Sequence, residues 1–160
     1  MNISIIAVGK LKESYWREAI AEYSKRISRF AHFEIIELPG STLGDNPSDS
    51  EIFSGLENEA KLMQPYLEKK GSCNIAMCVE GKMISSEELA MEIDSAGVNG
   101  YSTVNFFIGS SFGLSDTIKK SCKMRISMSR MTLPHQLARV VLSEQIYRAM
   151  TINSGIKYHK

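Results

Sequence analysis

Five short apolar runs, at residues 3–8, 33–38, 74–79, 104–108 and 124–128, alternate with segments whose apolar residues fall at helical spacing. A strand covered on both faces reads as a continuous apolar run, whereas a half-exposed one alternates. Strand and helix taking turns along the whole chain predicts an α/β fold, a mostly parallel sheet flanked by helices. The helical segments are amphipathic. Residues 13–29 place Tyr15, Ala19, Tyr23 and Ile27 on one face. Ser48 or Asp49 caps a helix reaching to about residue 70, which Pro65 is expected to kink or split. Ser85 or Ser86 opens another that ends near Gly97, a short one spans about 115–122, and a long one follows Pro134. With 160 residues and no repeat, low-complexity tract or linker, the chain is expected to form a single domain, 1–160.

Several classes drop out on the same evidence. No run approaches the roughly 18 to 20 apolar residues of a membrane span. The N-terminus turns charged after a few apolar residues, so it reads as a first strand, not a signal peptide, and the cytoplasm is the default. Cys73, Cys78 and Cys122 are odd in number and lack CxxC spacing, which predicts neither a disulfide framework nor a zinc site. His32, His135 and His159 are far apart, so no metal is expected.

Parallel sheets bind ligands beyond the C-terminal ends of their strands. That selects the loops at 80–82, 109–113 and 129–135. The 109–113 loop, GSSFG, fits neither a Walker loop nor a dinucleotide fingerprint, so a tight turn and a ligand loop both stay open. Charge is unevenly spread. Residues 117–160 hold nine Lys and Arg against one acid, Glu144, in a chain whose net charge is only +1. A polyanion partner or a solvated basic face would each account for this. The helix after Pro134 is apolar on nearly all sides yet carries Arg139 and Arg148. Burial against both the sheet and a second copy of the chain would explain it. Arg139 would then lie near the seam, pairing with Glu144 or facing a polyanion, because an unpaired buried cation is costly. The tail ends in Tyr158, His159 and Lys160, a set suited to stacking, proton transfer and phosphate contact, or else a frayed end.

Taken together, VGKLKESYW near the start, IGSSFGL, MSRMTLPHQLARVVLSEQIYRA and the terminal YHK resemble the ribosomal RNA large subunit methyltransferase H family, of the SPOUT class. The resemblance runs the length of the chain. It implies a C-terminal trefoil knot, a rare exception to the rule that chains do not thread. It also implies a homodimer that uses S-adenosylmethionine to methylate N3 of a pseudouridine in 23S ribosomal RNA on the assembled ribosome. Carried over by position, the cofactor residues are Met77, Gly109, Met128, Ser129, Arg130, Met131, Thr132 and Leu133. The catalytic candidates are His159, Tyr158, Glu144 and Arg139, with His159 first and Glu144 second as general base. His135 is expected to orient the loop or the cofactor. The tail is expected to complete a composite site with the neighbouring subunit. Ser110 departs from the pattern, standing where the family's loop has a second glycine. Its side chain is expected to narrow the backbone approach or to add a hydrogen bond. The rival readings are a non-catalytic dimeric RNA-binding module with a degenerate pocket and, disfavoured by the missing phosphate loop, a nucleotide hydrolase.

Overall fold

A computed structural model describes residues 1–159; Lys160, the last residue of the expected tail set, lies outside the described residues. The elements are β1 (Asn2–Val8), α1 (Ser14–Ile27), β2 (His32–Leu38), α2 (Asp49–Leu67), β3 (Ser72–Met83), α3 (Ser86–Val98), β4 (Thr103–Ile108), α4 (Asp116–Ser121), β5 (Met124–Ser127) and α5 (His135–Asn153). The strands form one sheet in the order β2-β1-β4-β3-β5, and every neighbouring pair is parallel. Successive side chains point to opposite faces. Ile3, Ile5, Ile75 and Phe106 therefore pack against α1, α3 and α5, while Ile6, Val8, Ala76 and Phe107 pack against α2 and α4. Burial on both faces is why β1 and β4 read as mostly apolar runs, with Ser4 and Asn105 the polar residues inside them.

Two helices begin on full capping boxes, Ser48 with Glu51 and Ser85 with Glu88. Pro65 neither kinks the middle of α2 nor splits it. It lies two residues before the end of that helix, where the lost N–H costs little further structure. The larger departure from expectation is β3. Residues 80–82 are not a strand-end loop, because the strand continues to Met83 after a bulge. Met77 and Lys82 both pair with Ile126, so residues 78–81 bow out of the ladder. Gly81 permits the return. A Cβ there would stand 2.6 Å from the carbonyl carbon of Ile126.

Beyond β5 the chain turns back across the sheet. Residues 128–134 carry it from the β5 edge to the C-terminal ends of β1 and β2, where α5 starts and Gln136 accepts from the Lys12 N–H at 2.9 Å. α5 then packs on the sheet between α1 and α3. This changes the role expected of Arg139. It does not lie at an outer seam, and Glu144 is not its partner. It is fully buried inside one chain. Its guanidinium donates to Glu37 Oε1 at 3.1 Å and to the carbonyls of Val8 and Gly9 at 2.7 and 2.9 Å. The physical reason is helix phase: Arg139 shares the inward face of α5 with Ala138, Leu142 and Ile146, directly over the ends of β1 and β2.

Replacing Arg139 by Met would leave the Glu37 carboxylate and two carbonyls without their donor. Urea unfolding of Arg139→Met is expected to show a loss of about 1–3 kcal/mol, the range for leaving a buried acceptor without its donor, because Glu37 is exposed and keeps water while the Val8 carbonyl does not. A loss under about 1 kcal/mol would show that solvent replaces the arginine at no structural cost.

Candidate active site

The bulge of β3 and the loops that leave β4 and β5 enclose a cleft of about 600 Å³. The bowed-out segment of β3 forms one wall with Met77, Cys78 and Val79. The turn after β4 forms the floor from Ile108 to Leu114, and residues 126–135 form the far wall. The floor is tight. The Gly113 N–H donates to the Ser110 carbonyl at 2.9 Å, and a Cβ on Gly109 would fall 2.0 Å from the Gly113 carbonyl oxygen. Only glycine fits at 109, so GSSFG is a constrained turn whose backbone faces the cleft. The Ser110 hydroxyl is used elsewhere. It donates at 3.0 Å to Glu59, a carboxylate only 5% exposed that also accepts from the Ser41 N–H at 2.9 Å. Of the two effects expected of Ser110, the structure shows the added hydrogen bond, which anchors the floor to α2. In the far wall, Ser129 closes a turn by accepting at Oγ from the Met131 N–H at 3.0 Å, while its carbonyl accepts from the Ser127 hydroxyl at 2.9 Å.

Seven of the eight residues carried over for cofactor binding line this cleft: Met77, Gly109, Met128, Ser129, Met131, Thr132 and Leu133. Arg130 lies between two of them but is exposed and not part of the lining. Two residues that motif reading passed over are Glu80 and Lys119, ion-paired at 2.6 Å on the cleft's rim. Neither belongs to a motif, and only the folded β3 bulge brings them together. His135 opens α5 at the cleft mouth. Burial, then the cations of Arg139 and Lys12, push its imidazole below the ordinary value of 6.5, so it is neutral at pH 7. The cysteines are free. Burial, reinforced by Cys78 and Cys73, pushes the Cys122 thiol up to about 12, which leaves it protonated and inert as a nucleophile.

The catalytic candidates gather elsewhere. Glu144, Tyr158 and His159 form a second cluster on the α3–α5 face, and none of them lines the cleft of their own chain. Arg148 joins Glu144 through its Nε at 3.0 Å and its Nη2 at 2.5 Å. The Tyr158 hydroxyl donates to the same Glu144 oxygen at 3.2 Å, and its ring stands edge-on to Tyr147 at 4.7 Å. Burial and the Glu144 carboxylate raise the Tyr158 phenol, which keeps it a donor. The tail is therefore docked, not frayed. His159 sits between Arg148 Nη1, 3.3 Å from its Nδ1, and Glu87 Oε1, 2.6 Å from its Nε2. A guanidinium only donates, so Nδ1 accepts and Nε2–H donates to Glu87. Arg139 belongs to neither cluster. It and His135 both lie beside Gly9, where an added Cβ would stand 3.7 and 3.6 Å from them.

The whole described chain, residues 1–159, matches the family model described as "Predicted SPOUT methyltransferase". The chain is 46% identical over 160 residues to the ribosomal RNA large subunit methyltransferase H of Streptococcus pneumoniae strains CGSP14 and JJA, covering all of each protein. Among solved structures it is similar to a probable methylase family protein from Haemophilus influenzae Rd KW20. The TM-score is 0.56 at 12% identity, covering 99% of this chain and 70% of that one. It is also similar to a probable methyltransferase from Bordetella pertussis Tohama I. Here the TM-score is 0.54 at 10% identity, covering 92% and 95%. At such identities these two structures speak for the fold alone.

The environment of His135 sets a pH dependence. Its folded value lies below 6.5, so the folded state binds fewer protons than the unfolded chain over that interval. The associated stability is complete above 6.5 and is lost as pH falls through the folded value. An NMR titration of the His135 ring is expected to show a midpoint below 6.5, and His135→Gln should flatten the fall in stability on the acid side. A midpoint at or above 6.5 would contradict the burial that the cleft imposes.

Proposed function

The chain belongs to the SPOUT methyltransferase family, and we propose that it transfers a methyl group from S-adenosylmethionine to N3 of a pseudouridine in 23S ribosomal RNA on the assembled ribosome. The observation that carries this reading is the end-to-end likeness to a ribosomal RNA methyltransferase in a chain whose cleft is built on the loops that carry the likeness. The cleft suits the cofactor. Its volume falls in the range for nucleoside-sized ligands. Met77, Ile108, Met128 and Leu133 offer apolar walls, and the turns at 109–113 and 128–133 offer backbone polar groups. S-adenosylmethionine, when bound, supplies an electrophilic methyl group.

The chain's own residues then have three tasks. The cleft walls exclude water and hold the reacting atoms in line, an effect worth up to roughly 7 to 11 kcal/mol in favourable systems. The proton on N3 must leave, and His159 is the base we assign. Its Nε2–H is fixed by Glu87, so Nδ1 is the nitrogen that takes the proton once Arg148 turns away from it. Glu144, next in line on sequence grounds, already accepts from Arg148, Tyr158 and Gln145. We assign it to positioning Arg148 and Tyr158. Arg139, walled into the interior, positions His135 and the start of α5 and touches no substrate.

Because the tail cluster lies outside its own cleft, the proposed active species is a homodimer in which the tail of one subunit serves the cleft of the other. Residues 1–160 act as a single domain, with α5 threaded in the family's trefoil knot. The site of action is the cytoplasm, where the ribosome is.

Purified protein, labelled S-adenosylmethionine and ribosomes lacking large-subunit methylation form the direct test. Label is expected at N3 of one pseudouridine; RNA binding without label would leave the non-catalytic module as the better reading. In the same assay His159→Ala is expected to lower kcat by about 10²–10⁴, the range for a lost general base, with the Kd for S-adenosylmethionine unchanged. Unaltered turnover would remove His159 from the mechanism.

A further inference from the structure

The basic surplus of residues 117–160 has to be somewhere on the surface, and the structure shows where it is not. Arg139 is consumed by Glu37 and two carbonyls, and Arg148 by Glu144. The helix that first suggested an RNA-facing row of cations presents neither of them free. Arg130 and Lys157 stand alone on the surface, and the rest of the segment's described cations cluster at the other edge of the sheet. There, α4, β5 and the returning part of β3 enclose a groove of about 580 Å³ lined by Lys82, Lys119, Lys120, Lys123 and Arg125, with Glu80 the one acidic residue in it.

Within the groove, Lys119 is neutralised by Glu80 at 2.6 Å and approached by Asp116 at 3.6 Å. Lys82 reaches Glu88 at 3.7 Å through two largely exposed side chains, a pair worth little. Among the described residues, Lys120, Lys123 and Arg125 have no carboxylate within ion-pair distance. Lys123 is steadied by the face of Tyr101, 5.3 Å from the ring centroid. All three are exposed. The groove also adjoins the cleft, since the Glu80–Lys119 pair lines both. Edge strands carry cations to discourage pairing with other strands. That duty does not explain Lys120 and Lys123, which precede β5, nor a concave wall shared with the cleft.

We propose that this groove is a phosphate track for the ribosomal RNA strand, holding the backbone beside the nucleotide that enters the cleft; the inference rests on the function proposed above. Lys120, Lys123 and Arg125 each take a backbone phosphate, and the Glu80–Lys119 pair marks the rim between track and cleft. Contacts of this kind set affinity and register without reading sequence. They release counterions, so they show in the salt dependence of binding.

The test compares the wild type, Lys120→Ala/Lys123→Ala/Arg125→Ala, and a control of equal charge change, Lys61→Ala/Lys69→Ala/Lys70→Ala, whose exposed lysines lie on α2 and just beyond it. Each is measured for S-adenosylmethionine Kd and for ribosome KM and binding across a salt series. The groove variant is expected to keep its S-adenosylmethionine Kd, to raise ribosome KM about tenfold or more at moderate salt, and to flatten the plot of log K against log salt by about 2 to 3. The control should match the wild type. Equal KM and equal slope in the groove variant, with the wild type active, would overturn the phosphate track and leave only edge protection. A wild type that binds S-adenosylmethionine but neither binds nor methylates ribosomal RNA would instead overturn the function itself. If the triple variant folds poorly, Lys120→Ala/Lys123→Ala makes the same comparison with β5 intact.

Discussion

The cross-link from Arg139 to Glu37 and to the Val8 and Gly9 carbonyls decides where the last helix begins. A guanidinium with no exposure tolerates little displacement, because a shift takes the donor from the buried Val8 carbonyl and strips the cation of the partners that offset its burial. Once α5 is pinned over the ends of β1 and β2, residues 128–134 must span from β5 to that point, and this span is the far wall of the cleft. His135, at the pinned end, is held at the cleft mouth in a neutral state by burial first and then by the same arginine. One buried cation thus sets the reach of a loop and the entry of a helix, and adds to what keeps an imidazole neutral.

The molecule separates holding from reacting. The cleft is built from backbone turns and apolar walls. Apart from His135 at the cleft mouth, the groups assigned to proton transfer under the proposed function sit together on the α3–α5 face, locked in a chain of contacts from Glu144 through Arg148 and His159 to Glu87. Such a division makes a single chain incomplete as a catalyst under the proposed function and explains why the tail, although terminal, is docked by specific contacts.

Much of this was legible in the sequence wherever local pattern decides structure. The five strands, the two serine caps and two of the three loops, 109–113 and 129–135, follow from periodicity, turn chemistry and the geometry of parallel sheets. What pattern could not show is pairing between distant residues. Arg139 finds Glu37 across 102 positions, Ser110 finds Glu59 across 51, and His159 finds Glu87 across 72. Nearness in sequence made Glu144 the natural partner for Arg139, yet helix phase turns Arg139 inward and gives Glu144 to Arg148, one turn on. The β3 bulge was invisible for a similar reason. Residues 80–82 look like a loop until Gly81 is seen pressed against the backbone of β5.

The Arg139 contact also has a consequence for biogenesis. Val8 lies 131 residues before the arginine that caps its carbonyl. A chain emerging from the ribosome N-terminus first has β1 long before it has the residue that completes that strand's end. Until α5 is made, Glu37 and the two carbonyls are left to water, and neither the far wall of the cleft nor the seat of the tail exists. Contacts of such long range close late and slowly. The nascent chain is therefore without the cleft and the tail cluster described above until α5 has been made.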